Sequence, residues 1–170
     1  MGSFSIDFDG DMAAQLDALA GDIKEKVLRS AAHAGAVVLY DAARANAPVY
    51  VPDGSNRKRV IKPGQLRDAI YRVFAESASS DELKQYEVSW NHKKAPHGFL
   101  VENGHWLVRG KKKSGTQRKI KWVPGTAFMR RAGDRFQEAL KAADARALLR
   151  LQEIFSGTEP EAAAAEADDL

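Results

Sequence analysis

Residues 16–48 read LDALAGDIKEKVLRSAAHAGAVVLYDAARANAP, and this run decides the fold class. Its apolar positions Leu16, Leu19, Ile23, Val27, Ala31, Ala34, Val38 and Ala42 step by three or four, the spacing of one helical face. The pattern predicts a helix from about Asp11 to Ala47, with Gly21 as a place where it breaks or bends. Pro48 ends it, because a proline disfavours helical geometry in the residue before it. Upstream, Ser3-Phe4-Ser5-Ile6-Asp7-Phe8 alternates polar and apolar residues and predicts a short edge strand.

Downstream, the periodicity changes. Residues 48–64 hold three prolines, two glycines and the cluster Arg57-Lys58-Arg59, so they read as a loop. A loop this long is unusual inside a compact domain and is either mobile or ordered by a partner. Residues 65–70 predict a helical turn or two, and Tyr71 to Ala75 a strand. The polar, Ser-rich stretch 76–82 connects it to Gln85–Asn91, where Tyr86, Val88 and Trp90 share one face of a half-buried strand. An antiparallel pairing with 71–75 follows. His97 to Glu102 reads as a short helix closed by Gly104. Trp106–Val108 and Ile120–Val123 are β segments, with 109–119 as their hairpin tip. A last helix starts after Gly125, with Thr126 as its N-cap. Its stripe is Phe128, Arg131–Ala132, Phe136, Leu140, Ala143, Ala147, Leu148 and Leu151, and it runs to about Phe155. Residues 1–155 make one α+β domain, and residues 156–170 a disordered acidic tail.

Charge is divided unevenly. Residues 156–170 carry five acids and no base, so a net charge of +3 becomes +8 for residues 1–155. Between Leu107 and Trp122 there are seven bases and no acid. A basic loop and an acidic tail on one chain suit contact with other macromolecules. The chain has no cysteine, which excludes disulfides and thiolate metal sites. No apolar run approaches the roughly 18 residues that span a bilayer. The first ten residues carry acids and no basic segment, unlike a signal peptide, so assembly in the cytoplasm is expected.

Four short signatures occur in a fixed order: Ala47-Pro48-Val49, Gly64-Gln65-Leu66-Arg67, Phe99-Leu100-Val101-Glu102-Asn103-Gly104, and Ala127-Phe128-Met129-Arg130-Arg131-Ala132. As an ordered set, over roughly residues 20–150, they resemble the head-to-tail joining and tail-completion family of tailed phages, related to the lambda minor tail protein Z. Two departures stand out. About a dozen residues intervene between the Pro-Val and Gly-x-Leu-Arg steps. Ala127 and Arg131 occupy positions where the family usually has proline. The resemblance implies a small antiparallel sheet packed against the long N-terminal helix, with the long C-terminal helix alongside. It also implies a structural role in the virion: a ring, sixfold by analogy, at the neck or the top of the tail. Its partners would be itself and neighbouring neck, tail-terminator or tail-tube proteins, with passing contact to genomic DNA and none to membrane.

No catalytic residue, cofactor site or metal site is expected. His92, His97, Glu102 and His105 match no common zinc spacing. Trp90-Asn91-His92 lacks the further histidines a metal-dependent nuclease would need, and no histidine follows residue 125. The expected subunit-interface residues are Arg57, Lys58, Arg59, Glu102, Lys111, Lys112, Lys113, Arg118, Lys119, Arg130 and Arg131. The two arginines lie in the first turn of the last helix, where the macrodipole disfavours cations, so acidic partners are expected for them. Pro48, Gly64, Leu66, Gly104 and Phe128 are expected to be structural. The competing function is a small basic nucleic-acid-binding protein, with binding that weakens as salt rises.

Overall fold

The computed structural model describes residues 10–51, 62–109 and 118–157. The edge strand at 3–8, the Arg57-Lys58-Arg59 cluster, the hairpin tip with Lys111, Lys112 and Lys113, and the acidic tail from 158 onward lie outside them.

The chain is α+β. Helix α1 spans Gly10–Asn46 and is unbroken across Gly21, so the helix does not break there. A glycine costs a helix only about 1 kcal/mol, which a long packed helix tolerates. The chain leaves helical geometry just before Pro48. After a 3-10 turn at Arg67–Ala69 come strands β1, Ile70–Phe74, and β2, Tyr86–Trp90. They pair antiparallel with Ile70 opposite Trp90 and Phe74 opposite Tyr86. Helix α2, Gly98–Asn103, ends on Gly104. Strands β3, His105–Arg109, and β4, Arg118–Val123, pair antiparallel with a bulge beside Leu107 and Val108. The antiparallel structure is therefore in two pieces: β1–β2 packs on α1, while β3–β4 stands as a separate hairpin.

The single last helix expected after Gly125 is two. Helix α3, Phe128–Ala132, and helix α4, Phe136–Ser156, are separated by a 3-10 turn at Gly133–Arg135. Helix α4 lies along α1. Gly35 makes this close approach possible, since a side chain there would sit 3.2 Å from the Ala139 carbonyl oxygen and 3.6 Å from Ala143 Cβ. Buried Ala36 and Ala139 belong to the same seam. An ion-pair group reinforces it: Arg146 Nε donates to Ser30 Oγ at 2.9 Å, and Arg146 and Arg150 both reach Glu153, at 2.8 and 3.1 Å.

Hydrogen bonds from Arg146 and then Arg150 hold the Glu153 carboxyl below the ordinary glutamate value of 4.5. A carboxylate whose pKa is lowered on folding stabilises the fold above its unfolded value, and loses that effect as pH falls through the folded value. Glu153→Gln should therefore lower the melting temperature at neutral pH, and the gap to wild type should close below pH 4.5. A gap that is constant from neutral pH to well below that value would show that the ionised Glu153 carboxylate contributes nothing.

Only part of the expected C-terminal stripe is buried. Phe128 and Ala132 are in the core, but Phe136, Leu140 and Leu148 are 54%, 43% and 63% exposed. Helix α1 covers one side of α4's apolar arc and leaves the other open.

Candidate assembly interface

Three of the four signatures converge on one core, to which the Ala47-Pro48-Val49 step adds buried Ala47. Phe128 is fully buried among Ala43, Ala47, Leu66, Ala69, Ile70, Ala95 and Ala132. Trp90 packs edge-on against it at 5.6 Å. From the second signature, Leu66 and the turn that follows supply core residues. Gly64 starts that turn at φ 77°, with its carbonyl accepting the Asp68 N–H at 2.9 Å. Gln65 Nε2 donates to the Lys94 carbonyl at 2.6 Å, tying this turn to the loop before α2. Gly98 opens α2 flat against the Trp90 indole, where any side chain would collide. Pro48 is exposed at the end of α1.

Glu102 is the centre of the junction between α2 and α3. Its carboxylate accepts the backbone N–H of Met129 at 2.9 Å and of Arg130 at 3.2 Å. Arg130 Nε adds a third bond at 3.1 Å, and Arg130 Nη2 reaches the Glu102 carbonyl at 3.2 Å. The side chain thus caps a helix 27 residues away in sequence. It neutralises N–H groups that the first turn of any helix leaves without partners. Glu102 is 6% exposed, and its carboxylate is engaged within the fold. One expectation is corrected here. Thr126 is not the N-cap: its hydroxyl and N–H both donate to the Val101 carbonyl, at 3.3 and 2.7 Å. Of the two arginines, Arg130 finds its acidic partner within the fold, while Arg131 is exposed.

The residue before α3 explains one departure from the tail-completion pattern. Ala127 is left-handed, at φ 51° and ψ 44°. Its N–H donates to the Glu102 carbonyl at 3.2 Å. Proline, fixed near −65° and lacking an N–H, fits neither requirement. Gly104 is the other backbone device, at φ 79° and ψ 170°, a region essentially reserved for glycine. A side chain on it would sit 2.7 Å from both the Gly125 nitrogen and the Val123 carbonyl oxygen. The two glycines let the base of the β3–β4 hairpin close on the end of α2.

The surface is as informative as the core. Trp106, Leu107, Val108, Ile120 and Trp122 of the hairpin are each about half exposed. Arg109, Arg118, Lys119 and Lys121 are exposed among them. Lys119 lies over the Trp106 ring at 5.2 Å, and Trp106 meets Trp122 edge-on at 5.6 Å. Between α1 and α4 an apolar groove of about 490 Å³ is lined by Ala36, Leu83, Met129, Phe136 and Leu140 among others. Sequence reading found the hairpin cations but not the groove, which joins residues from four separate segments.

The histidines gather no metal site: among the described residues, no group of three His, Cys, Asp or Glu could hold an ion. Burial lowers the pKa of His97 below its ordinary 6.5, which favours the neutral ring at neutral pH. No helix among the described residues is long and apolar enough to cross a membrane.

Signature residues such as Leu66 and Phe128 go into the chain's own core, while apolar side chains of α4 and the hairpin face outward. Residues 10–104 match the HK97-gp10-like family, described as "Bacteriophage HK97-gp10, putative tail-component", and the chain belongs to this family of phage tail components. The matched segment runs from the start of α1 to Gly104, where the hairpin begins. No curated protein and no solved structure matches the chain.

Proposed function

We propose that the chain is a virion subunit that assembles as a ring at the neck or the head-proximal end of the tail and takes part in head–tail joining or tail completion. The observation that carries this is the amount of open apolar surface on a tail-component fold. Phe136, Leu140 and Leu148 on α4, and Trp106, Leu107 and Trp122 on the hairpin, are 43–63% exposed. Contiguous patches of this kind mark interaction sites. Partners within the reading are further copies of the chain and the adjoining neck, tail-terminator or tail-tube proteins. Genomic DNA passes through the ring, with the basic hairpin turned to protein, because a tight grip on DNA would hinder its passage. Arg57, Lys58, Arg59 and Lys111 to Lys113 complete the contact surface. Mass spectrometry of purified virions should detect the chain, and its absence would count against the whole reading.

Neutralising Lys111, Lys112 and Lys113 together should weaken in vitro joining of tails to heads, with the isolated subunit's melting temperature nearly unchanged. Surface charges away from packed groups rarely move stability by more than about 0.5 kcal/mol. Full joining by the triple variant would make the tip a solvated loop.

A second reading rests on the interleaving of Trp106 and Trp122 with Lys119, Lys121, Arg109 and Arg118. Aromatic platforms among cations are how single-stranded nucleic acid is held. Retention of DNA that falls steeply with salt would favour it.

A further inference from the structure

The β3–β4 hairpin is a two-stranded ladder, and its side chains divide between two faces. Successive residues of a strand alternate, so the pairs Trp106–Trp122 and Val108–Lys119 share one face. Lys119 lies over the Trp106 ring at 5.2 Å, which keeps it on that side across the bulge. The pairs Leu107–Lys121 and Arg109–Arg118 take the other face. Arg109, Arg118 and Lys121 are all exposed there, and among the described residues no carboxylate pairs with them. Arg44, Arg130, Arg135, Arg146 and Arg150, by contrast, all find carboxylates inside the fold. Like charges directly opposite in a ladder repel, as Arg109 and Arg118 do, and an anion laid across them relieves that repulsion.

The chain carries such an anion. Residues 158–170 hold Glu159, Glu161, Glu166, Asp168 and Asp169 and no base. They follow the end of α4, and the fold puts that end far from the arm. Gly35 approaches Ala139, and Ser30 bonds Arg146, so α4 runs antiparallel to α1 and Ser156 comes level with about Ala20. The arm is rooted at the other end of α1. Asn46 Nδ2 donates to the Phe128 carbonyl at 3.5 Å, and residues 126 and 127 bond back to Val101 and Glu102. At 1.5 Å per residue, the run of α1 from Ala20 to Asn46 is about 40 Å long. A five-residue strand such as His105–Arg109, laid back along that path, recovers only about 17 Å of it. Glu159 and Glu161 lie three and five residues past Ser156, a reach of at most about 10 and 18 Å. They fall short of the cationic face of their own copy, and only a second copy's arm is open to them.

We propose that the acidic segment 158–170 of one copy docks on the cationic face of the β3–β4 arm of a second copy, its carboxylates against Arg109, Arg118 and Lys121. This rests on the reading of the chain as a ring subunit and names one of its contacts. The two halves of the contact belong to opposite ends of the α1–α4 pair, so it is head-to-tail and propagates until it closes into a ring or continues as a filament. Arginine takes a carboxylate in a two-pronged fork, yet exposed pairs are individually weak and are screened over about 8 Å at physiological salt. The contact is therefore salt-sensitive, and tethering within an assembly supplies the local concentration it needs. That same tethering favours the segment over nucleic acid on this face.

Carbodiimide coupling joins a carboxylate to a lysine amine only in direct contact, which makes Lys121 the reporter. Isotope-labelled and unlabelled full-length chains are mixed, coupled, digested and read by mass spectrometry. Links from the 158–170 carboxylates to Lys121 should include mixed-isotope pairs, and should fall at least fivefold between about 50 mM and about 500 mM salt. Arg109→Gln combined with Arg118→Gln keeps the reporter and should lower the mixed links at least fivefold. Both sites are exposed, so a melting temperature near wild type is expected in that variant. Mixed links that are unchanged in it, or that spread evenly over exposed Lys93, Lys94 and Lys141, would overturn the contact, as would links confined to one copy. A chain that multimerises and is found in virions, yet gives no links, would overturn the contact and leave the ring reading standing. A chain that stays monomeric at every concentration and is missing from virions would overturn both. Salt-sensitive DNA retention that the double variant abolishes, again with no links, would assign the face to nucleic acid instead.

Discussion

Phe128→Ala should cost about 3–5 kcal/mol, the range for emptying a buried aromatic position. The ring is fully buried and, among the described residues, is the largest side chain so enclosed. Many of its neighbours cannot move in to fill the space. Ala43, Ala47, Ala69, Ala95 and Ala132 are already small, and their backbones belong to α1, α3 and two tight turns. The loss also removes the edge-on contact with Trp90 at 5.6 Å, a geometry that contributes about 0.5–1.5 kcal/mol beyond area. A small domain has only about 5–15 kcal/mol in total, so a large part of the fold's stability hangs on one ring. Urea denaturation with Phe136→Ala as the companion makes the test specific. Phe136 is 54% exposed, and its truncation should change the midpoint little while weakening assembly. Equal loss in both variants would show that α3 does not plug this core.

The elements that periodicity predicts are the ones that local hydrogen bonds build. Helix α1 follows from its three-and-four spacing and from Pro48, and the β1–β2 pair from the alternation of Tyr86, Val88 and Trp90. The hairpin follows from two apolar segments around a Gly- and Lys-rich stretch. Burial was less legible. The apolar stripe of α4 is real as a pattern, yet Phe136, Leu140 and Leu148 face outward, because one neighbouring helix cannot cover so wide an arc. A stripe predicts that something covers the helix, and cannot say whether that is the same chain. Along α1, the stripe through Ala31, Ala34 and Val38 misses buried Ala36, Ala43 and Ala47. Small residues give little hydrophobic signal, though they are what lets α3, α4 and the sheet crowd onto α1 from different sides. The close approaches at Gly35, Gly98 and Gly125 have the same character, since each depends on an atom that is distant in sequence.

Glu102 is the case where local reading and structure diverge most, and Glu102→Ala should destabilise the fold by about 2–4 kcal/mol. The carboxylate accepts from two backbone N–H groups of α3 and from Arg130. Hydrogen bonds to a charged partner contribute about 1.5–3 kcal/mol each, and losing a helix cap costs about 0.5–2 kcal/mol. The two backbone bonds are themselves the cap and are not counted twice, and Arg130 is 67% exposed and can turn to water, so the expected cost is that of about one charged bond plus one cap. Ala127 raises the stakes. Its left-handed geometry costs about 1–2 kcal/mol and is held in place by bonds from 126 and 127 back to the carbonyls of Val101 and Glu102. Without the carboxylate, the first turn of α3 loses its partner and Phe128, the residue that opens that turn, loses its aim. Core and cap should therefore fail together: the cost of combining Glu102→Ala with Phe128→Ala should fall short of the sum of the two single costs, since coupled sites do not add. Glu102→Gln separates charge from shape. It keeps an acceptor for one N–H but no negative charge for Arg130 or the helix N-terminus, and should recover only part of the loss. Wild-type thermal stability in Glu102→Ala, with assembly alone impaired, would return this carboxylate to the subunit interface.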